Sequence, residues 1–395
     1  MVNPVYLGAP GIVCALGSGC DEVAERLFDA TAPAGVVETD ACSPGRTLAL
    51  GRVQGPLPAL DDVALPLRSR NNALLADAYA QIRPQVEAAI ARHGAARVAV
   101  VLGTSTSGIG EGELALPALL AAGGWPGNFH YAQQEIGAPS RFLAQLAGVA
   151  GPAWTLSTAC SSGAKALASA ARLLRAGIVD AVVAGGADAL CSFTVSGFSA
   201  LEAVSAARCN PFSRNRGGIN IGEGAALFLM TREPGPVRLA GWGETSDAHH
   251  MSAPDPQGLG AAAAIAQALV RAGIGAGALD YVNLHGTATR HNDAMESLAM
   301  QACGLADAPA SSTKPLTGHA LGAAGAIEAA LCWLTLARNP QQRLPPHWWD
   351  GEPDPALPAL DLVGPGRRAA RALRHVLSHS FAFGGSNAAL LFGEG

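Results

Sequence analysis

The stretch WTLSTACSSGAKAL, residues 154–167, places one cysteine between a strand-like run and a run of small helix-forming residues. A strand that turns sharply into a helix leaves the turn residue at the mouth of a sheet, beside free N–H groups of the helix. These N–H groups and the helix dipole favour a thiolate, which is the nucleophilic form of cysteine. The stretch alone leaves two interpretations of Cys160 open: a nucleophile, or a small buried thiol of the common kind.

Strand-like and helix-like segments alternate around this stretch, which predicts a layered α/β fold. Residues 96–105 (ARVAVVLGTS) have the pattern of a buried strand that ends in a Gly-Thr loop. The helix predicted after Cys160 closes at Gly177 in the C′ position. Residues 180–188 (DAVVAGGAD) then predict the next strand.

The second half of the chain repeats this plan. Residues 280–289 (DYVNLHGTAT) again predict a strand that enters a Gly-Thr loop, and residues 311–338 predict a loop followed by a small-residue helix. Residues 375–392 contain Gly384-Gly385, as the first half contains Gly185-Gly186. Three similar segments that occur in the same order in both halves predict an internal duplication of the chain. The Pro- and Gly-rich residues 231–241 mark the boundary, which gives the halves 1–235 and 236–395.

The composition narrows the possible classes of protein. Hydrophobic residues make up 49% and charged residues 14% of the 395 residues, which predicts a large core and a buried subunit interface. A formal charge of −5 argues against nucleic acid or an anionic membrane as the main partner. No apolar run is long enough to span a membrane, and the N-terminal stretch MVNPVYLGAPGIVCALG lacks the basic start of a signal peptide. We therefore expect a cytoplasmic protein with reduced thiols.

Two histidines follow predicted strands, in loops of the kind that form sites in α/β folds. His285 follows YVNL, and His319 lies in KPLTGHALG. In a duplicated fold the loops after equivalent strands converge, so Cys160, His285 and His319 are predicted to meet. A zinc site that uses His285 and His291 is a weaker alternative, because no HExxH motif or cysteine partner accompanies them.

The remaining cysteines show neither a CxxC pair nor metal-ligand spacing with histidine. Those in apolar or helical patterns are predicted to be structural: Cys14, Cys191, Cys303 and Cys332. Complete GxGxxG, GxxxxGK[ST] and GxSxG motifs are also absent from the sequence, which argues against nucleotide-dependent chemistry and serine hydrolysis.

Several stretches together resemble the β-ketoacyl-acyl-carrier-protein synthases, the elongating ketosynthases of fatty acid and polyketide synthesis. They are STACSSGAKAL, NPFSRNRGGINIGEGAA, SDAHHMSAPDPQG, NLHGTATRHND, KPLTGHALGAAGAIEA and SFAFGGSNA. They run in the same order from about Gly103 to Asn387, a span of roughly three quarters of the chain. The resemblance implies a thiolase-like duplicated fold, layered α-β-α-β-α with two mixed five-stranded sheets. One cysteine with two histidines resembles the elongating, decarboxylating type; biosynthetic thiolases have a second catalytic cysteine, and chain-initiating ketosynthases pair His with Asn.

The resemblance implies two linked acyl transfers. Cys160 would take an acyl group from an acyl carrier protein as an enzyme thioester. Loss of carbon dioxide from malonyl carrier protein would then generate an enolate, hydrogen-bonded by neutral His285 and His319, and its attack would give a 3-oxoacyl product. The backbone N–H groups of Cys160 and Phe383 are the implied oxyanion hole. No metal or organic cofactor is expected beyond the carrier's phosphopantetheine.

Further residues match supporting positions of that family. Thr287 and Thr289 match hydroxyls that bind the pantetheine amides, with loop capping as the alternative. Lys314 is expected to order the charges around His319, with Glu328 nearby on the next helix; a surface salt bridge is the alternative.

The resemblance also suggests residues for the acyl pocket and the partner surface. Phe383, beside Phe381 and Gly384-Gly385, is expected to gate the acyl pocket, and Ile109 and Phe198 to line it, unless they are simple core. Five arginines are candidate contacts for the acidic carrier protein, although solvated surface charge is the simpler interpretation: Arg68, Arg70, Arg208, Arg214 and Arg216.

The sequence departs from the family pattern at three places. The segment from Gly110 to Trp154 is short, Gly217 replaces the usual Asp, and His249 stands where Tyr is common. These differences bear on the tunnel wall and the dimer contacts. They suggest a polyketide-type enzyme, such as an aryl-polyene synthase, that forms a homodimer or a heterodimer with a ketosynthase-like subunit. A non-catalytic chain-length subunit and a coenzyme A-dependent thiolase are the alternatives.

Overall fold

The computed structural model describes residues 4–395. The first three residues begin the stretch in which no signal peptide is predicted, and they lie outside this range. The strands are β1 (Tyr6–Leu7), β2 (Gly11–Cys14), β3 (Gly17–Ser18), β4 (Val37–Thr39), β5 (Leu48–Leu50), β6 (Val98–Gly103), β7 (Ala153–Leu156), β8 (Ala181–Asp188), β9 (Gly224–Thr231), β10 (Val237–Ser246), β11 (Tyr281–Asn283), β12 (Ala310–Ser311), β13 (His375–Phe381) and β14 (Ser386–Glu394). The α-helices are α1 (Cys20–Leu27), α2 (Arg70–His93), α3 (Ile109–Ala122), α4 (Ala138–Ala147), α5 (Ser162–Arg175), α6 (Ser192–Ala200), α7 (Leu259–Ala272), α8 (Arg290–Ala302), α9 (Lys314–Thr317) and α10 (Ala324–Ala337).

The strand pairings of the two halves follow the same plan. In the first half β6 lies parallel to β7 and β8, and β9 lies antiparallel to β8 and β2. In the second half β11 lies parallel to β12 and β13, and β14 lies antiparallel to β13 and β10. The repeated motifs of the sequence therefore correspond to a repeated sheet topology.

The sheet is continuous across the two halves. The short strand β1 pairs with both β9 and β10, which joins the strands into one 12-stranded sheet, while β4 and β5 form a separate pair. The structure thus has the expected mixed pairing, but hydrogen bonds link the two predicted sheets into one.

Alternate strand residues face different layers, as the two-residue period of a strand requires. In β8, Val182 and Ala184 pack with α5 and α10 in the central core, whereas Ala181 and Val183 pack with α2 and α4. The second half of the sheet likewise packs against α7 and α8 on its outer side. The two halves of this sheet therefore form the two sheet layers, and the layers follow the predicted order of helix, sheet, helix, sheet and helix.

The two central helices meet through glycines at matching positions. A Cβ atom on Gly163 of α5 would lie 2.8 Å from the backbone nitrogen of Ala326, and one on Gly325 of α10 would lie 2.8 Å from that of Ala164. Side chains at either glycine would force the helices apart. This close approach brings the N-terminal end of α5, next to Cys160, near the loop that leads into α10.

Two further sequence expectations concern the thiols and membranes. All eight cysteines are free, and five of them are buried: Cys14, Cys160, Cys191, Cys209 and Cys332. Within residues 4–395, none of the helices combines the length and apolar character needed to cross a membrane.

Candidate active site

Cys160 lies at a sharp turn between β7 and α5. The preceding residue, Ala159, has a left-handed backbone with φ of 52°, which is strained for a residue with a side chain. The turn is held by the Ser162 hydroxyl, which donates to the carbonyl of Ala159 at 2.6 Å and accepts from the backbone N–H of Thr158 at 2.8 Å. Only 5% of Cys160 is exposed, so the thiol faces an enclosed space.

His319 is in direct contact with this thiol. Its Nε2 atom lies 3.0 Å from the Sγ atom of Cys160. The backbone N–H of His319 donates to Asn220, and that of Gly322, three residues later, donates to the buried carboxylate of Asp188 at 2.6 Å. These bonds fix the histidine loop against the end of β8, so the imidazole is held in place.

His285 completes a cluster of three. The end of β11 places it so that its ring centroid lies 5.2 Å from that of His319, with the rings nearly perpendicular. Glu296 of α8 accepts the backbone N–H groups of His285 and Gly286 at 2.8 and 2.7 Å. One ring nitrogen of each histidine and the Sγ of Cys160 lie within 4.8 Å of one another. The structure thus brings together the three residues that the sequence singled out.

A buried ion pair lies behind the histidines. The Nζ atom of Lys314 is 2.5 Å from a carboxylate oxygen of Glu328, and each side chain is 2% exposed. Lys314 Nζ also lies 3.4 Å from Nδ1 of His285. The sequence-based expectation placed the role of this lysine around His319, and the structure adds this direct contact with His285. A charged ammonium donates to Nδ1, which leaves the proton of neutral His285 on Nε2.

Burial and this lysine keep both imidazoles neutral. Burial, followed by the charge of Lys314, lowers the pKa of His285 and of His319 well below the usual 6.5. Burial also raises the pKa of Glu328 to about 7, against the opposing effect of Lys314. Near neutral pH the site therefore offers two uncharged imidazoles beside one cation.

The thiol is not a preformed free thiolate. Burial raises the pKa of Cys160 to about 11, while Lys314 and the backbone N–H groups of Phe383 and Cys160 oppose that rise. The expected effect of the helix end is therefore outweighed by desolvation. Nε2 of neutral His319, 3.0 Å away, is placed to accept the proton of this thiol.

A cavity of about 750 Å³ opens onto the three residues. Thr287 and Thr289 line it, with their hydroxyl oxygens 3.0 Å apart. Phe381 and Phe383 also line it, and the ring of Phe383 lies 5.7 Å from that of Phe198 on α6. Gly384 and Gly385 follow Phe383 with φ of 83° and 74°, so this tight turn depends on glycine.

Other candidate residues lie elsewhere or have other partners. Ile109, at the start of α3, is half-buried and is not among the residues that line this cavity. Gly217 lines the cavity, and a Cβ there would meet nothing within 4 Å, so the missing side chain widens the entrance. His249 is exposed, whereas its neighbour His250 lines the cavity.

The five candidate arginines are mostly engaged within the chain. Arg68 and Arg208 donate to backbone carbonyls, and Arg70 forms a bidentate pair with Glu223. Arg216 is 8% exposed, lines the cavity and pairs with Asp354 at 2.6 Å, while Arg214 pairs with Glu352 at the surface. Solvated surface charge, the simpler interpretation, describes Arg214, which is exposed, whereas the other four arginines are partly or fully buried.

Cys160, His285 and His319 have the atom types and spacing of a zinc site. His291, the second ligand of the weaker zinc alternative, is exposed on α8 and is not a member of this buried cluster. The positive charge of the Lys314 ammonium beside His285 repels a divalent cation. Its hydrogen bond to Nδ1 also leaves the proton of this imidazole on Nε2, so that nitrogen has no lone pair to offer a metal.

Sequence reasoning missed two acidic residues that hold the loops of His319 and His285. Asp188 accepts hydrogen bonds from Thr104, Thr106 and Gly322, and Glu296 holds the His285 loop and contacts His379 at 3.0 Å. Both are completely buried. The sequence contained a signal for both residues, because Asp188 ends a predicted buried strand and Glu296 lies after the His285 loop.

The models of the β-ketoacyl synthase N-terminal and C-terminal domains match residues 77–234 and 237–347. Over 75% of its length the chain is 32% identical to 3-oxoacyl-[acyl-carrier-protein] synthase 2 of Vibrio cholerae, covering 76% of that protein. It is also 35% identical to the putative polyketide β-ketoacyl synthase 1 of Streptomyces cyaneus, over 75% of each chain.

Among solved structures, the ketosynthase ApeO of Xenorhabdus doucetiae, in complex with its chain length factor ApeC, matches with a TM-score of 0.93 and 47% identity. That match covers 100% of this chain and 98% of the other. The ishigamide ketosynthase/chain length factor matches with a TM-score of 0.88 and 27% identity, over 100% of both chains. These matches confirm the predicted fold class and the predicted acyltransferase type. The chain belongs to the β-ketoacyl synthase family.

Proposed function

We propose that the protein condenses an acyl group held on Cys160 with malonyl-acyl carrier protein, with loss of carbon dioxide, to give a 3-oxoacyl-acyl carrier protein. One observation carries this proposal: the Sγ of Cys160 and a ring nitrogen of each of His285 and His319 lie within 4.8 Å, at the end of a large cavity. The two halves of the fold, 1–235 and 236–395, supply the nucleophile and both histidines respectively.

The first step is acyl transfer to sulfur. The thiol of Cys160 passes its proton to Nε2 of His319, and the thiolate attacks the thioester carbon of the acyl carrier protein. A Cys160 thioester forms, the bond to the pantetheine sulfur breaks, and the proton returns to that leaving thiolate. The backbone N–H groups of Cys160 and Phe383 hold the oxygen of the tetrahedral intermediate.

The second step makes the carbon nucleophile on the substrate itself. The malonyl carboxylate leaves as carbon dioxide, and its electron pair becomes an enolate whose oxygen faces the two neutral imidazoles. Nε2–H of His285, fixed by Lys314, donates a hydrogen bond to that oxygen. Nδ1 of His319 has no hydrogen-bond partner among residues 4–395, so once Cys160 is acylated this imidazole is free to carry its proton on Nε2 and to donate a second hydrogen bond. The enolate carbon then attacks the acyl thioester, the bond between the acyl carbon and Sγ of Cys160 breaks, and the released thiolate takes up a proton from water. Neither step needs an electron donor or acceptor, so the reaction proceeds without a metal or an organic cofactor.

The cavity has the features needed for a carrier's phosphopantetheine arm. Thr287 and Thr289 present adjacent hydroxyls to hydrogen-bond its amides, and the exposed Arg290 lines the same cavity, where its charge suits a phosphate. Phe383, seated against Phe198 on a two-glycine turn, gates the acyl side. Because its substrates are carried on proteins of the biosynthetic machinery, we place the enzyme in the cytoplasm.

An apolar surface supports a ketosynthase-like partner subunit. Leu114 and Leu120 of α3 are each 77% exposed, and Phe193 of the adjoining helix α6 is 65% exposed. Large apolar side chains exposed on neighbouring helices are a feature of protein interfaces. Since ApeO is solved with its chain length factor, we propose a heterodimer of the same type, with a homodimer as the alternative, in a polyketide or aryl-polyene pathway.

Product analysis tests this proposal. The purified protein, with its co-expressed partner, is incubated with acyl and malonyl carrier proteins, and the products are measured by mass spectrometry. A 3-oxoacyl carrier protein two carbons longer supports the proposal. Cleavage of 3-oxoacyl-coenzyme A without use of malonyl carrier protein would indicate a thiolase. Absence of both products would indicate a non-catalytic chain-length subunit.

A further inference from the structure

The rim of the large cavity is not a basic surface. Six of the residues that line this cavity are exposed, and they form its rim: Leu201, Glu202, Gly217, His250, Arg290 and His291. The rim therefore has one carboxylate and one guanidinium, together with two imidazoles. The other arginine that lines the cavity, Arg216, is 8% exposed and pairs with Asp354 at 2.6 Å.

Two large apolar side chains are exposed at this opening. Leu201, directly after α6, is 57% exposed. Met251 is 82% exposed and lies between His250 and Ser252, which both line the cavity. Single exposed apolar side chains are common on protein surfaces. The place of these two is what matters, because any protein that delivers a tethered substrate into the cavity must cover them.

Glu202 stands beside Leu201 at a position that does not suit a glutamate. The backbone N–H of Ala203 donates to the carbonyl of Phe198, and that of Glu202 donates to Ser199, which is the pattern of a helix that ends on a left-handed residue. Glu202 is that residue, with φ of 53°, where glycine is usual. A carboxylate is also unfavourable near the negative end of a helix dipole. The side chain of Glu202 therefore does nothing for the end of α6, and it places a negative charge at the rim.

The charges around the opening do not favour electrostatic capture of an acidic carrier protein. Steering of that kind needs surfaces of opposite charge, and the formal charge of this chain is −5. The five arginines that the sequence suggested as carrier contacts already bind carbonyl or carboxylate oxygens of the chain itself. Contact between apolar side chains needs no net charge, so the exposed apolar side chains of the rim are the available docking groups.

We propose that the carrier protein docks on Leu201 and Met251 by apolar contact, and that Glu202 selects carriers with a basic side chain beside the modified serine. This inference rests on the proposed condensing function, because the carrier's arm must pass the rim to reach Cys160. It names the chemistry of the partner: an apolar face with a lysine or arginine at its edge, in place of a uniformly acidic face.

Two acyl donors separate contacts with the carrier protein from contacts with its arm. Octanoyl-pantetheine has the arm alone, so the ratio of kcat/KM for octanoyl carrier protein to that for octanoyl-pantetheine, in acylation of Cys160, measures contact with the protein part. We expect Met251→Ser and Leu201→Ser each to lower this ratio about tenfold, the effect of losing one apolar anchor. The matched control Ile178→Ser changes a side chain that is 53% exposed beyond the far end of α5, and it should keep the ratio.

Charge reversal tests the selection by Glu202. The probe is a carrier protein with carboxylates beside its modified serine, loaded with an octanoyl group. Glu202→Arg should raise the ratio for this carrier about fivefold, because a repulsive contact becomes an attractive one at an exposed site. Glu87→Arg makes the same change of charge on the exposed side of α2, away from the cavity, and should leave the ratio within about twofold. A lysine placed beside the serine of the carrier should reverse the order of the wild type and Glu202→Arg.

The opposite results would overturn the proposal. A ratio that survives in both Met251→Ser and Leu201→Ser would contradict apolar docking. So would a tenfold fall in the wild-type ratio between 50 and 500 mM sodium chloride, because salt screens ion pairs and not apolar contacts. An unchanged or lower ratio for the acidic carrier in Glu202→Arg would contradict the selection. Absence of an adduct on Cys160 with either donor would contradict the condensing function itself, a result distinct from an unchanged ratio.

Discussion

Nε2 of His319 lies 3.0 Å from the Sγ of Cys160, whereas Nδ1 of His285 lies 3.4 Å from the ammonium of Lys314. The two histidines are therefore not equivalent. His319 can move the proton of the thiol, and His285 is fixed as a hydrogen-bond donor. The sequence-based hypothesis gave both the same role in decarboxylation, and the geometry separates them.

Substitution of each histidine should separate the two steps. His285→Ala should lower the rate of malonyl decarboxylation at least 100-fold and leave acylation of Cys160 within a few fold, because it removes one oxyanion donor. His319→Ala should slow both steps. Acylation is followed by intact mass, and decarboxylation by carbon dioxide release. Identical profiles for the two variants would contradict this division of roles.

The decarboxylation step should be insensitive to mild acid. Because the pKa of each imidazole lies well below 6.5 in the folded protein, neither is protonated as the pH falls through 6.5, and the donors persist. In the Cys160→Ala variant, which removes the titrating thiol, carbon dioxide release should stay constant from pH 8 to pH 6. Glu328, the partner of Lys314, has a pKa of about 7 and also titrates in this range. A loss of half the rate near pH 6.5 that persists when Glu328→Gln is added to Cys160→Ala would show that a histidine with an ordinary pKa controls the step.

The buried pair Lys314–Glu328 should be required for stability as well as for the tautomer of His285. Lys314→Met leaves the carboxyl of Glu328 buried without its partner, which we expect to lower the free energy of unfolding by about 3–5 kcal/mol. Chemical denaturation measures this loss. The matched control Arg141→Met breaks a pair with Glu135 whose side chains are 51% and 46% exposed, and it should change stability by less than about 1 kcal/mol.

Lys165 should position the gate. Its Nζ donates to the hydroxyl of Ser386 at 2.6 Å, and that hydroxyl lies 2.9 Å from the hydroxyl of Ser161, beside the nucleophile. Lys165→Met should loosen the turn that carries Phe383 and slow acylation of Cys160 several fold, with little change in Tm. Lys165→Arg should restore part of the rate. Unchanged acylation in Lys165→Met would remove this lysine from the mechanism.

The sequence predicted the repeated topology and the meeting of Cys160 with two histidines, because strand ends and glycine loops are local patterns. It did not predict the raised pKa of the thiol, which depends on how deeply distant segments bury Cys160. The roles of Asp188 and Glu296 depend equally on tertiary contacts.

Site-specific mass spectrometry of Cys160 tests the central claim most directly. The wild-type protein is incubated with acyl carrier protein alone, and then digested and mapped. We predict an acyl thioester on the peptide that contains Cys160, absent in Cys160→Ala and discharged as a 3-oxoacyl product when malonyl carrier protein is added. An unmodified Cys160 peptide, or an adduct that persists in Cys160→Ala, would contradict the account.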